Sequence, residues 1–384
     1  MTSRHLTLVT FLMLTALIVV GQLYLTIPLS EDIAELFGTD LSAAAWAGTA
    51  FGLAYAAGFL VWGPLSDRCG RRVILLCGLV ATTVATALLG MAGSLGWFLA
   101  GRALQGFVAS SFPPVALSLV GEALPPERRP LGVSLISFAF LAAAPVAQFV
   151  GVTLTASPTG LMLGLAPLYL VMAAGLALAL PAGAGGAVGG AVPAEGRMAS
   201  LLANPVVVTG WLAALSVLFG FVAFQAGTAM EVGGGFDPQV VRLVGLPPLA
   251  LSLVAAPLSK RWGAPVTART GLIISAAGLV LAGTGGPLTV AAAALVAGGV
   301  GLAVPGLIAT LGGAASDHNR GLALSIYTFS LFVGASLASP VATALASAGP
   351  ALLYGLPAVL LVAAAGGITL GLGRQRASRA TQAT

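Results

Sequence analysis

Charged residues in this chain come in short clusters, and between them run apolar stretches about as long as a lipid bilayer is thick. Residues 321–373, for example, contain no Asp, Glu, Lys or Arg. A membrane-crossing helix needs roughly 20 apolar residues, and its backbone must satisfy its hydrogen bonds internally because hydrocarbon offers none. Cutting at charge clusters and Gly/Pro/Ser runs yields twelve stretches: 6–28, 42–64, 73–93, 97–119, 131–154, 160–181, 205–229, 241–258, 265–284, 287–312, 321–346 and 350–373. The first starts beside Arg4 and His5. It is too long for a signal-peptide core and lacks a small-x-small cleavage site, so it reads as a retained span.

Only 7% of the residues are charged, against 58% hydrophobic, and mean hydropathy is +1.04. A soluble domain normally carries about 25% charged residues, so the expected class is an all-α polytopic membrane protein. The net charge of +5 does not point to nucleic acid, because the basic residues are scattered between apolar segments and form no face. Their distribution instead sets topology. Fourteen of the sixteen Lys and Arg fall in alternate short loops or at the termini, which places both termini in the cytoplasm. The exceptions are Arg102, inside the fourth stretch, and Arg242, near the outer end of the eighth. The two cysteines, Cys69 and Cys77, give no disulfide framework.

The chain is internally duplicated. Gly63-Pro64-Leu65-Ser66-Asp67-Arg68-Cys69-Gly70-Arg71-Arg72 has a weaker copy 193 positions on, Ala256-Pro257-Leu258-Ser259-Lys260-Arg261-Trp262-Gly263. Arg129-Pro-Leu-Gly-Val-Ser134 aligns with Arg320-Gly-Leu-Ala-Leu-Ser325 at an offset of 191. Between the sixth and seventh stretches lies a low-complexity Gly/Ala run bounded by Pro181 and Pro193. The expected organisation is a six-span half at 1–181, a cytoplasmic linker at 182–204 and a second six-span half at 205–384.

Gly63–Arg72 resembles the loop 2–3 signature of the major facilitator superfamily, G-x-L-x-D-R-x-G-R-R, with every fixed position filled. Gly101-Arg102-Ala103-Leu104-Gln105-Gly106 resembles the R-x-x-Q-G motif of its proton-coupled members. Helix 1 is expected to end in Pro28 to Gly38, which is similar to the segment that begins many twelve-span bacterial efflux carriers. The resemblance covers the whole chain. It implies two six-helix halves, a central cavity lined mainly by helices 1, 4, 7 and 10, and alternating access by rocking. The antiporter signature of helix 5, G-P-x-x-G-G, survives only as Ala144-Pro145-Val146-Ala147-Gln148-Phe149, which weakens the efflux reading and leaves the fold untouched.

The residues suggest roles. Gly63 and Gly70 are expected to form a tight turn, and Asp67 to interact with the positive end of an opposing helix, a contact the resemblance assigns to closing the cytoplasmic side. Arg68, Arg71 and Arg72 either join that gate, bind lipid phosphate, or simply set topology. Lys260 stands where Asp67 stands in the first copy, so the gate is expected to be asymmetric. Arg102 lies about 7.5 Å inside its span. There a charge is functional unless it reaches the interface. Gln105, three residues on, shares its face.

Gln22, Tyr24, Tyr55, Gln148, Trp211, Gln225 and Tyr327 are the other polar candidates for coupling or substrate contact, each also readable as interhelical glue. Trp62 and Trp97 read as interface markers. No Asp or Glu falls mid-span, and His5 and His318 lie in cytoplasmic segments, so no obvious proton carrier is present. Arg102 should therefore favour neutral or anionic substrates.

The expected function is secondary active export of small organic molecules from a bacterial-type plasma membrane, with protons as coupling ion, by a monomer without cofactor or metal. The nearest alternative is an importer or facilitator of a neutral or anionic solute, and one of another class is a non-transporting receptor or scaffold. An enzyme or ATP-driven pump is disfavoured, since no nucleophile–base pair, metal cluster or phosphate loop is visible.

Overall fold

The computed structural model describes residues 3–125, 127–154, 157–180, 197–316 and 319–382. Among these residues every regular element is helical. They form two compact units, Met1–Ala191 and Val192–Thr384. Twelve helices or helix pairs are long and apolar enough to cross a membrane.

The first unit contains α1 (Ser3–Leu25), α2 (Ser30–Phe37), α3 (Leu41–Cys69), α4 (Arg71–Leu89), α5 (Leu95–Ala109), α6 (Phe112–Ala123), α7 (Arg129–Thr153) and α8 (Pro158–Ala179). The second contains α9 (Arg197–Leu202), α10 (Pro205–Ala229), α11 (Pro238–Gly245), α12 (Leu251–Trp262), α13 (Ala264–Ala282), α14 (Leu288–Ala314), α15 (Arg320–Leu345) and α16 (Pro350–Gln382). The linker expected at 182–204 falls mainly outside the described residues, but its last part is helical, as α9.

Side-chain oxygens close several helix starts, a role that suits short polar residues with extended backbone. Asp40 accepts from Ala43 N at 2.7 Å on α3, and Ser157 accepts from Gly160 N at 3.1 Å on α8. Asn204 works at two places. Its Oδ1 caps α10 through Val206 N at 3.1 Å, while its Nδ2 donates to Ala314 O at the end of α14 at 3.0 Å.

The halves repeat each other in packing as well as in sequence. In the first, α1 packs on α7, α3 on α5, and α4 on α8; in the second, α10 packs on α15, α12 on α14, and α13 on α16. Helices α13 and α14 meet almost backbone to backbone, since a Cβ added at Gly271 would overlap Ala303 N. Small residues permit that approach where lipid supplies no hydrophobic drive between helices.

Two spans are broken, and prolines explain both. The fourth splits between α5 and α6 because Pro113 and Pro114 carry no N–H for the carbonyls of Ala109 and Ser110. The Ser111 N–H turns back to Val108 O at 3.2 Å. The Phe107 carbonyl then accepts from the Ser110 hydroxyl at 2.7 Å and from the Trp62 indole at 2.6 Å. Trp62 is thus a clamp on the broken helix as well as a span-end aromatic. The eighth span splits at Pro247-Pro248 into α11, one 3-10 turn over Pro247–Ala250, and α12. Here the Val244 carbonyl loses both candidate helical donors, since neither proline has an N–H.

Candidate functional site

The charged segment at Gly63–Arg72 is helical for most of its length, which corrects the tight turn expected at Gly63. Helix α3 runs unbroken to Cys69, so Gly63 is an ordinary helical residue and only Gly70 turns the chain. Gly70 has φ 92°, ψ 131°, and the second copy repeats this at Gly263 with φ 91°, ψ 141°. Positive φ is open to glycine at no steric cost, which explains why glycine stands at both places when neighbouring charges do not match. The Asp67 side chain lies outside the described residues. Arg68 is exposed in the last turn of α3 and Arg71 opens α4. Arg72 donates from Nη2 to Ala177 O at 3.0 Å, in the last turn of α8.

That contact belongs to a pattern. Arg129 Nε donates to Leu124 O at the end of α6 at 3.1 Å, and Arg320 Nε to Gly312 O in the last turn of α14 at 2.8 Å. The second repeat landmark therefore does the same work in both halves. Helix C-termini carry partial negative charge and unbonded carbonyls, so in a chain poor in acids these arginines use helix ends as counter-charges.

Arg102 follows the rule inside the membrane. It is fully buried, at 0% exposure, so it does not snorkel to the interface. Its Nη2 donates to Gln22 O in the last turn of α1 at 2.6 Å and its Nε to Ala47 O on α3 at 3.2 Å. Nη1 donates to Gln105 Oε1 at 2.7 Å and, more weakly, to Gln22 Oε1 at 3.4 Å. The guanidinium carbon lies 4.4 Å from the centre of the Phe51 ring, a cation–π contact.

Gln105, also fully buried, donates to Thr86 Oγ1 on α4 at 2.8 Å, and Tyr169 on α8 lies beside Gln22, Thr86 and Arg102. Five helices of the first half thus meet around one guanidinium, four of whose five N–H donors are engaged by these bonds. Gly106 lets α5 come this close to α3, because a Cβ there would overlap Phe51 O.

Of the sequence candidates, the structure brings together Gln22, Arg102 and Gln105. Tyr24 and Tyr55 are also buried in this half, and Tyr55 stacks on Phe51 at a centroid distance of 5.4 Å and meets Phe59 edge-on at 5.0 Å. Gln148 is buried on α7. Trp211 donates to Ala323 O at 2.9 Å and Tyr327 to Val304 O at 3.2 Å, so both tie helices of the second half together. Gln225 is buried on α10, and its Oε1 accepts no hydrogen bond among the described residues. Sequence reading missed Thr86, Phe51 and Tyr169; the visible signal was a polar or aromatic side chain in mid-span, which does not say what it will meet.

The model of the Major Facilitator Superfamily matches residues 12–241 and 235–383. The chain belongs to that superfamily. Its twelve candidate spans fit a multi-pass membrane protein of that superfamily. It is 32% identical over 156 residues to the uncharacterized MFS-type transporter YwfA of Bacillus subtilis, a match covering 39% of this chain and 38% of the relative. It is 32% identical over 111 residues to the multidrug export protein EmrB of Escherichia coli, covering 29% of this chain and 22% of that one. These matches span well under half the length of either relative.

Among solved structures, the human organic anion transporter MFSD10 aligns with a TM-score of 0.71 over 95% of this chain and 99% of that one, at 17% identity. A bacterial homologue of the human lysosomal transporter Spinster aligns with a TM-score of 0.67 over 97% and 96%, also at 17% identity. At that identity the likeness is one of fold.

Proposed function

We propose that this superfamily member is a secondary active carrier of the plasma membrane, with both termini cytoplasmic, that exports small organic molecules by proton antiport and alternating access, as a monomer. The observation that carries the reading is the network around Arg102. An isolated charge within a span is expensive, and here a segment like the R-x-x-Q-G of proton-coupled carriers holds a guanidinium among five helices. Such a network links any change in local charge to the packing of α1, α3, α4 and α5. The partial likeness to a multidrug exporter supports the outward direction. In this reading Asp67, Arg68, Arg71 and Arg72 form the cytoplasmic gate, and Gln148 and Gln225 are substrate contacts.

One observation favours a second reading, uptake or facilitated passage of a neutral or anionic solute. No Asp or Glu lies in any of the twelve described spans, so none of them offers a carboxylate to carry a proton.

Transport by proteoliposomes of a panel of small organic solutes, with and without an imposed pH gradient, separates the two. Native protein is compared with Arg102→Ala and Asp67→Asn. Antiport predicts gradient-driven accumulation in inverted vesicles that both variants diminish. Transport indifferent to the gradient for every solute carried would leave only the facilitator reading.

A further inference from the structure

In each half an arginine ties the third span to the sixth, and the two ties differ in what they offer the guanidinium. In the first half Arg72 donates to Ala177 O, two residues before α8 ends at Ala179, where the helix presents its negative pole. In the second half Arg269, five residues past the start of α13, donates from Nη1 to Thr369 Oγ1 on α16 at 2.9 Å. Helix α16 runs on to Gln382, so at Thr369 its carbonyls are engaged by its own backbone and no helix end is near. The Thr369 hydroxyl itself donates to Ala365 O at 3.1 Å, which leaves Arg269 a neutral acceptor. Among the described residues that is the one hydrogen bond of Arg269, and it uses one of five N–H donors.

The charge around it is of one sign. Lys260 and Arg261 lie in the last turn of α12, one glycine away from the start of α13, and Arg374 lies five residues beyond Thr369 on α16. The acids described in this half, Glu231 and Asp237, sit between α10 and α11, at the opposite end of the spans, and Asp317, the one acid after Asp237, lies outside the described residues. Arg269 is half-buried about 7.5 Å inside its span, a depth from which a long basic side chain reaches headgroup phosphate. Val266 and Ile273, one turn to either side of it on α13, are exposed. On α16 the surface beside it is hollow. Gly366 and Gly373 stand one turn to either side of Thr369 on the same face, both are exposed, and a Cβ at either would meet nothing within 4 Å. Val362 and Leu370, exposed on that side of α16, make its walls apolar. A free ion would have to leave water for those walls, whereas a phosphate carried on acyl chains brings its own apolar part.

We infer that the groove between α13 and α16 binds an anionic phospholipid, with its phosphate on Arg269 beside Gly373 and Arg374 and an acyl chain over Gly366 and Val362. A guanidinium with spare donors and no acid to pair with is completed by phosphate. Such binding is independent of transport direction and coupling.

The test uses the full chain, delipidated in detergent, with phosphatidylglycerol as the anionic probe, phosphatidylcholine as its zwitterionic counterpart and inorganic phosphate as the headgroup chemistry without acyl chains. Native mass spectrometry counts bound lipid and gives its affinity, and tryptophan fluorescence gives the unfolding temperature. The expected result is saturable binding of phosphatidylglycerol, much weaker binding of phosphatidylcholine and no effect of phosphate. Affinity for the phosphatidylglycerol should fall roughly ten- to hundredfold in Arg269→Gln, the size of a lost charged hydrogen bond. It should stay within severalfold of native in Arg269→Lys, which keeps a phosphate-binding charge. Gly366→Leu fills the hollow and keeps every charge, so it should weaken the lipid severalfold while the lipid-free unfolding temperature holds. Arg320→Gln, an equal loss of charge in the same half, should leave the affinity unchanged.

If Arg269→Gln does not fold, Arg269→Lys and Gly366→Leu decide. Equal affinity for the two lipids, undiminished phosphatidylglycerol binding in Arg269→Gln, or the same loss in Arg320→Gln overturns the site and reduces these arginines to a diffuse positive surface. Phosphate acting as strongly as phosphatidylglycerol, with Gly366→Leu indifferent, overturns the groove as a lipid seat.

Discussion

The sharpest test of the Arg102 network is a double-mutant cycle with Gln105. Replacing Gln105 by Leu removes the acceptor that Nη1 meets at 2.7 Å and the donor that meets Thr86 at 2.8 Å. A hydrogen bond to a charged group contributes about 1.5–3 kcal/mol and a neutral one about 0.5–1.5 kcal/mol, so the single change should cost roughly 2–4 kcal/mol. Arg102→Met, of similar length, removes the charge and leaves Gln22 and Gln105 short of a donor, at a comparable cost. Once Arg102 is gone, Gln105→Leu no longer strands a buried charge, so the double variant should cost less than the sum. Coupling across polar pairs in membrane proteins has averaged about 0.6 kcal/mol, and the charge here raises the expected value to about 1–2 kcal/mol. Reversible unfolding in mixed detergent–SDS micelles gives all four corners of the cycle. Additivity to within about 0.5 kcal/mol, the behaviour of distant sites, would show that the two side chains are not partners and refute the network.

Other outcomes follow from close contacts. Gly106→Ala should destabilise by more than about 2 kcal/mol, because the new methyl overlaps a backbone oxygen that cannot yield easily; Gly164→Ala, with open space around it, should be near neutral in the same unfolding assay. Gly70→Ala should cost about 1–2 kcal/mol for its left-handed backbone, whereas Gly63→Ala should not, and an equal cost at both would restore the tight-turn reading of Gly63. Trp62→Phe keeps the ring and removes the indole donor to Phe107 O, so it should lower stability by about 1 kcal/mol and speed proteolysis at the break between α5 and α6; unchanged cleavage would deny Trp62 the clamp role.

Several features were legible in advance because their physics is local. The cost of placing charge or unbonded backbone in hydrocarbon acts on consecutive residues, so span positions could be read within a few residues. The duplication was legible because both copies of a segment need the same backbone, as Gly70 and Gly263 show with nearly identical torsions. The pairing of Arg102 with Gln105 was also accessible, since residues three apart share a helix face. The breaks at Pro113-Pro114 and Pro247-Pro248 were available too, but continuous apolarity hid them.

Class, span number and the two-half plan thus came from hydrophobicity and charge along the chain, quantities that each residue carries with it wherever it packs. Which polar groups meet is another matter. Gln22, Ala47, Thr86 and Arg102 sit on four helices. Those meetings depend on how helices cross and how near glycines let them approach, which no single segment encodes. For the same reason Trp211 and Tyr327, indistinguishable in sequence from substrate contacts, proved to be hydrogen-bonded to carbonyls of neighbouring helices, while Gln225 keeps a buried oxygen without a donor among the described residues.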